Sequence, residues 1–183
     1  MKKQIEIEFR ARFDKRKYDA LAKFLKAKAK DLGADDKDVY FFIFPDKLLK
    51  VVNNVSKKTA KLVMKLNKIG RGSSFEEIEM PIQPKDFHRA VKIFTLWGCK
   101  NVMRSFQKRH NYLYKGVELA LKYSKHWGYH LELEVMVDNL KKKPGAEKKI
   151  KEVAKELKVN LMTDAELKKF TREAEKKYRQ KTK

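Results

Sequence analysis

Glu6, Glu8 and Arg10 alternate along Lys3-Gln-Ile-Glu-Ile-Glu-Phe-Arg-Ala-Arg-Phe13, the spacing that gathers side chains on one face of a strand. Read as a strand, this segment puts Ile5, Ile7, Phe9, Ala11 and Phe13 on one side and Gln4, Glu6, Glu8, Arg10 and Arg12 on the other. The pattern returns in His130-Leu-Glu-Leu-Glu-Val-Met-Val137, where Glu132 and Glu134 share a face opposite Leu131, Leu133 and Val135. Between the two acidic pairs, other charged residues hold strand positions: Lys50, Lys61 with Lys65, Glu77 with Glu79, and Arg109. Carboxylates bind a divalent cation through oxygen, and Lys and Arg bind phosphate oxygens. Both kinds of ligand facing one interior describe a site for a metal–triphosphate complex.

Positioning these groups takes many strands. Beyond Lys3–Phe13, alternation or turn signals mark strands at 38–44, 48–53, 61–67, 75–82, 101–114, 116–123 and 130–137. Pro45-Asp46-Lys47 and Gly70-Arg-Gly-Ser-Ser74 read as turns, and Lys115-Gly116 as the tip of a hairpin. Asp14 is an N-cap for a helix over 15–32 that Gly33 ends. Phe87, Ala90, Val91, Phe94 and Trp97 recur at helical spacing up to Gly98, and helices over 146–157 and 163–179 finish the chain. The last opens with Thr163 three residues before Glu166, a capping box. Trp97 and Trp127 read as packing residues.

The expected fold is α+β: an eight-stranded antiparallel barrel forming a tunnel, with flanking helices and a helical C-terminus, in one domain over residues 1–183. Alternation alone does not say which face is inside. Amphipathic helices outside the barrel would cover an apolar exterior, which makes a charged interior consistent. Such an interior must stay wet or bind something charged, because burying an unpaired ion costs several kcal/mol.

Composition narrows the partners. A net charge of +22, from 46 Lys and Arg against 24 Asp and Glu, predicts attraction to polyanions. Residues 141–183 carry 16 Lys and Arg against 7 Asp and Glu, so much of the excess belongs to the C-terminal helices, a basic surface open to nucleic acid. No apolar run approaches the roughly 20 residues of a membrane span, and the Met-Lys-Lys start lacks a signal-peptide pattern, so a cytoplasmic protein with no membrane partner is expected. The lone Cys99 excludes an intrachain disulfide and a paired-cysteine redox motif. A monomer and a homodimer are both compatible with this chain.

These segments together resemble the CYTH superfamily, the triphosphate tunnel metalloenzymes, which includes thiamine triphosphatases and class IV adenylyl cyclases. Glu6-x-Glu8-x-Arg10 is similar to the opening E-x-E-x-K, Asp38-Val-Tyr40-Phe41 to D-x-Y-F, and Leu62-Val-Met-Lys65 to the lysine-bearing strand. Glu77-Ile-Glu79 resembles the end of R-x-E-x-E, Arg109-His-Asn-Tyr112 the R-x-x-Y segment, and Gly128-Tyr-His-Leu-Glu132-Leu-Glu134 the terminal G-x-F-x-E-x-E. The six occur in the family's order over residues 4–135.

The resemblance implies a tunnel that holds a triphosphate with Mg2+ or Mn2+ and hydrolyses tripolyphosphate, thiamine triphosphate or a nucleoside triphosphate. By position, it assigns Glu6, Glu8, Glu132 and Glu134 to metal, and Arg10, Lys50, Lys65 and Arg109 to phosphate. Glu77, Glu79, Lys122 and His130 are the catalytic candidates. The chain departs from the pattern at Val52, Phe75 and Gln107, where basic residues are usual, and at Lys122, where many members carry a metal-binding Asp. An ammonium there repels a second cation or replaces it. Alternative readings are a class IV-type adenylyl cyclase and a non-catalytic binder of a triphosphorylated ligand or 5′-triphosphate RNA.

Overall fold

The computed structural model describes residues 5–66, 73–99 and 101–181. Lys3, Gln4, Asn67 and the Gly70-Arg-Gly part of the expected turn lie outside them. Nine strands follow one another: β1 (Ile5–Phe13), β2 (Lys30–Ala34), β3 (Lys37–Ile43), β4 (Leu48–Asn54), β5 (Thr59–Lys65), β6 (Ser74–Ile82), β7 (Val102–Tyr114), β8 (Val117–Ser124) and β9 (Gly128–Val137). The helices are α1 (Lys15–Lys28), α2 (Phe87–Leu96), α3 (Lys143–Glu156) and α4 (Asp164–Lys181).

Eight strands close a ring in the order β7-β3-β4-β5-β6-β1-β9-β8, with β8 returning to β7, and every pairing is antiparallel. The expected eight-stranded barrel is therefore present. The long β7 makes closure possible: residues 102–107 pair with β3, while residues 107–114 pair with β8. Lys115 and Gly116, both at positive φ, form the two-residue turn that joins β7 to β8.

The ninth strand corrects the sequence reading, which extended α1 to residue 32. The helix ends at Lys28, and β2 pairs with β7 beyond the point where β3 leaves it, Lys30 opposite Leu113 and Ala34 opposite His110. Without β2 that edge of β7 would be a row of unpaired backbone groups. Gly33, at φ 88°, marks a bulge in this pairing rather than a helix cap.

The helices decide which face of the ring is inside. Outward-facing Ile7, Leu119, Leu121, Leu131 and Leu133 are buried under Leu21 and Leu25 of α1 and Ile150 and Val153 of α3. Each such side chain contributes about 1.5–3 kcal/mol on burial. On the far side of the ring Phe42, Leu49 and Val51 pack against Phe87 of α2, with Phe94 and Cys99 half-buried beside them. Trp97, expected to pack, instead lies 78% exposed at the end of α2. With the apolar alternates covered outside, the charged alternates must face in.

Caps fix the helix starts. Asp14 accepts a hydrogen bond from the Lys17 amide at 2.8 Å. The capping box holds as expected: the Glu166 amide donates to Thr163 Oγ1 and the Thr163 amide to Glu166 Oε2. The segment before α4 is pinned to β1, where the Met162 amide donates to the Arg10 carbonyl at 2.7 Å. That contact brings Thr171 and Glu175 of α4 to the wall of the interior.

Candidate functional site

The ring encloses a cavity of about 620 Å3, a size suited to a small-molecule ligand. Glu6, Glu8, Arg10, Lys50, Lys65, Glu77, Glu79, Arg109, Lys122, His130, Glu132 and Glu134 all line it, so the twelve sequence-derived candidates share one space. Strand parity places them on the inward face, opposite alternates that helices cover over much of the ring, although Ile78 and Met80 on the outer face of β6 stay exposed.

Two hubs organise the charges. Lys65 Nζ lies 2.8 Å from Glu6 Oε2, 3.3 Å from Glu8 Oε2 and 2.5 Å from Glu77 Oε1. Lys50 adds a looser contact with Glu77 at 3.6 Å. The second hub is Glu132, which accepts from Arg10 Nε at 3.1 Å and from Lys122 Nζ at 2.9 Å, with Arg109 at 3.7 Å. Arg10 joins the hubs by pairing with Glu8 as well. Arg109 is braced from behind by Asp35, 3.1 Å from its Nε. Nearer solvent, Lys61 and Glu79 pair at 2.5 Å.

The electrostatics of the two hubs differ. Burial would raise the Glu132 carboxyl, but Lys122, Arg10 and Arg109 outweigh it and hold the group well below the usual carboxylate range. Glu77 is likewise held at about 2, because Lys50 and Lys65 overcome its burial. Glu6 goes the other way: burial, then the neighbouring Glu8, push it up to about 9 although Lys65 opposes them. Glu134 stands opposite Glu8 in the β1–β9 register and is also raised, by burial and by Glu8. Burial lowers both Lys50 and Lys122, helped by Lys65 and Arg109 respectively.

His130 is buried, and its Nδ1 donates to the Gly128 carbonyl at 3.0 Å. Burial and the adjacent Lys122 lower its pKa to about 3, so the ring is neutral across the physiological range. With Nδ1 protonated, Nε2 is left as an acceptor.

Sequence reasoning missed several lining residues, Lys37 and Trp127 among them. Lys37 shares the inward face of β3 with Val39 and Phe41, and its ammonium is lowered to about 8 by burial and by Arg109. Both faces of β3 are apolar, so parity alone gave no signal for it. Trp127, in the β8–β9 turn, lines the cavity and packs edge-on against Phe170 of α4 at 5.0 Å between ring centres. Its contact with α4 depends on the chain's return to the barrel, which no local pattern encodes.

Among the described residues no three His, Cys, Asp or Glu side chains converge into a ready-made metal cluster. The donor chemistry of Glu6, Glu8 and Glu134 nevertheless fits a hard divalent cation. These are oxygen donors, and Glu6 and Glu134 carry pKa values raised first by burial and then by the neighbouring Glu8, a penalty a cation relieves. Glu132 fits less well, because three cations already occupy its surroundings.

Comparison with solved structures agrees with this architecture. The chain is similar to the PH1012 protein of Pyrococcus horikoshii, with 28% identity, a TM-score of 0.69, and 85% of this chain and 91% of that one covered. A Hippeastrum protein whose structure is reported with a dominant triphosphatase activity aligns at 16% identity and a TM-score of 0.59, over 86% of this chain and 89% of that one. The Mimivirus capping enzyme triphosphatase aligns at 16% identity and a TM-score of 0.51, over 79% and 86%. No curated protein matches the chain. The CYTH domain model matches residues 4–167, most of the chain and all nine strands. The chain belongs to the CYTH domain family.

Proposed function

We propose that the tunnel binds a triphosphate-bearing small molecule together with one Mg2+ or Mn2+ ion and hydrolyses its phosphoanhydride bond. The observation that carries this reading is the pairing, within one closed ring, of over-packed carboxylates (Glu6, Glu8, Glu134) with the buried cations Lys50, Lys65 and Arg109. Glu6, Glu8 and Glu134 hold the ion, which when bound supplies charge neutralisation at the phosphate oxygens. Lys50 and Arg109 contact phosphate oxygens, Arg109 as a planar fork held by Asp35. Lys65 shifts its hydrogen bonds from glutamate to phosphate as the ligand enters.

Glu77, ionised down to about pH 2, orients the attacking water by accepting its hydrogen bond, with Glu79 beside it toward the mouth. Lys122, together with Arg10 and Arg109, neutralises Glu132 and keeps a second ion out, while neutral His130 fixes the local packing and offers Nε2 as an acceptor. Catalysis of this kind rests on positioning and electrostatics more than on covalent chemistry.

Phosphate release from tripolyphosphate, thiamine triphosphate and nucleoside triphosphates, with Mg2+, Mn2+ or EDTA, tests the reading. Metal-dependent release that falls in Glu134→Gln is expected. Release indifferent to metal and to this variant contradicts it, and cyclic AMP formed from ATP would replace hydrolysis with cyclisation.

A further inference from the structure

The tunnel is divided lengthways. One side, formed by β6, β1, β9 and β8, carries all the strand glutamates of the lining. The other side, formed by β7, β3, β4 and β5, carries most of the lining cations and, among them, an apolar patch: Val39, Val52 and Val63 form a cluster of their own with Phe41 packed against it, and Met103 follows on β7. Strand register joins the patch, with Val39 beside Val52 and Phe41 beside Met103, and sets Lys50 against its edge beside Phe41 and Val63. These are inward positions, distinct from the helix-covered clusters outside the ring. Water against such a patch is unfavourable, and a ligand without an apolar group gains nothing from it.

Charge points the same way. Among the described residues, eight Lys and Arg and seven Glu line the cavity, a formal excess of a single positive charge in a chain of net charge +22. Most of those cations already face a glutamate. A ligand with fewer ionisable oxygens than inorganic triphosphate suits this balance, and esterifying a terminal phosphate removes one.

We propose that the tunnel takes an organic phosphoanhydride whose apolar group lies inside, on the wall of Val39, Phe41, Val52, Val63 and Met103, and that Val52 sets the preference over inorganic triphosphate. Val52 sits two residues from Lys50 on the same strand face, at the boundary between the apolar patch and the phosphate-binding cations. The proposal deepens the phosphoanhydride reading above and rests on it.

The test is calorimetric binding, in Mn2+, of methylene-bridged tripolyphosphate and of its monohexyl ester, neither of which is hydrolysed. The ester is expected to bind at least tenfold tighter, since each buried methylene is worth about fourfold in affinity. Val52→Ala should weaken the ester severalfold and leave the inorganic analogue unchanged, a control against misfolding. Val52→Arg should reverse the order. Equal or tighter binding of the inorganic analogue overturns the proposal while leaving the phosphoanhydride reading intact. Failure of both compounds to bind overturns the two together.

Discussion

Glu134 and Glu132 lie two residues apart on one strand face, yet the protein treats them in opposite ways. Glu132 is surrounded by Arg10, Arg109 and Lys122 and stays ionised far into acid. Glu134 faces Glu8 across the sheet, and both it and Glu6 are reluctant to ionise. One carboxylate has its countercharge built into the chain, whereas the other, on the reading proposed above, draws a cation from solution. On the proposed reading, the same residue type at the same parity serves structure at one position and ion binding at the next.

The largest effect should come from removing a carboxylate on the ion-requiring side. Glu134→Gln is expected to lower metal-dependent phosphate release on the order of 100-fold, and in the metal-free protein to raise Tm slightly by relieving repulsion with Glu8. A lowered Tm would mean that Glu134 already has its countercharge.

Glu132→Gln should do the reverse to stability. It leaves three buried cations facing a neutral amide, at a cost of roughly 3–5 kcal/mol. For a chain of this size that is about a 10 °C loss of Tm. Calorimetry of the two variants side by side reads the contrast directly.

The next effect is a pH dependence whose sign follows from Glu6. Its folded value of about 9 lies above the unfolded value, so the folded metal-free protein retains a proton that the unfolded chain loses. Stability from this group is full below the unfolded value of about 4.5 and declines as pH rises toward 9. Ion binding must expel that proton, so Mn2+ affinity should climb up to about tenfold per pH unit until about pH 9 and then level off. Titrations in buffers of different ionisation enthalpy should detect about one proton released per ion at neutral pH. Release of no proton would place Glu6 outside the ion site.

A smaller change is expected from Lys122→Met. Arg10 and Arg109 remain beside Glu132, so the loss should be roughly 1–3 kcal/mol, with ion stoichiometry unchanged. A second bound ion in this variant would show that the ammonium alone had excluded it. Smallest of all, replacing Lys168 and Lys169 on α4 by Gln should weaken salt-sensitive polyanion binding while leaving tunnel activity within error.

The strands were legible because Glu6, Glu8 and Arg10, like Glu132 and Glu134, alternate with residues that only a covered face would make apolar. β2 was not, because Lys30-Asp-Leu-Gly-Ala34 has no such alternation and becomes a strand only through the open edge of β7. On β3 the two faces, Val39 and Phe41 against Tyr40 and Phe42, are both apolar. Period alone could not reveal that one of them lines the tunnel. The site's membership followed from parity, whereas its pairings did not: Lys65 reaches Glu6 from 59 residues away, a contact set by the β5-β6-β1 strand order. The opposed behaviour of Glu132 and Glu134 likewise needed the positions of Lys122, Arg10 and Arg109 across the barrel. No helix among the described residues is long and apolar enough to cross a membrane.

The most direct measurement is the Mn2+ stoichiometry of the wild type, Glu134→Gln and Glu132→Gln, by electron paramagnetic resonance or calorimetry at pH 8. One ion per chain is expected in the wild type, lost in Glu134→Gln and kept in the folded fraction of Glu132→Gln. An ion that survives Glu134→Gln, or a second ion that disappears with Glu132→Gln, would contradict the division of the tunnel's carboxylates drawn above.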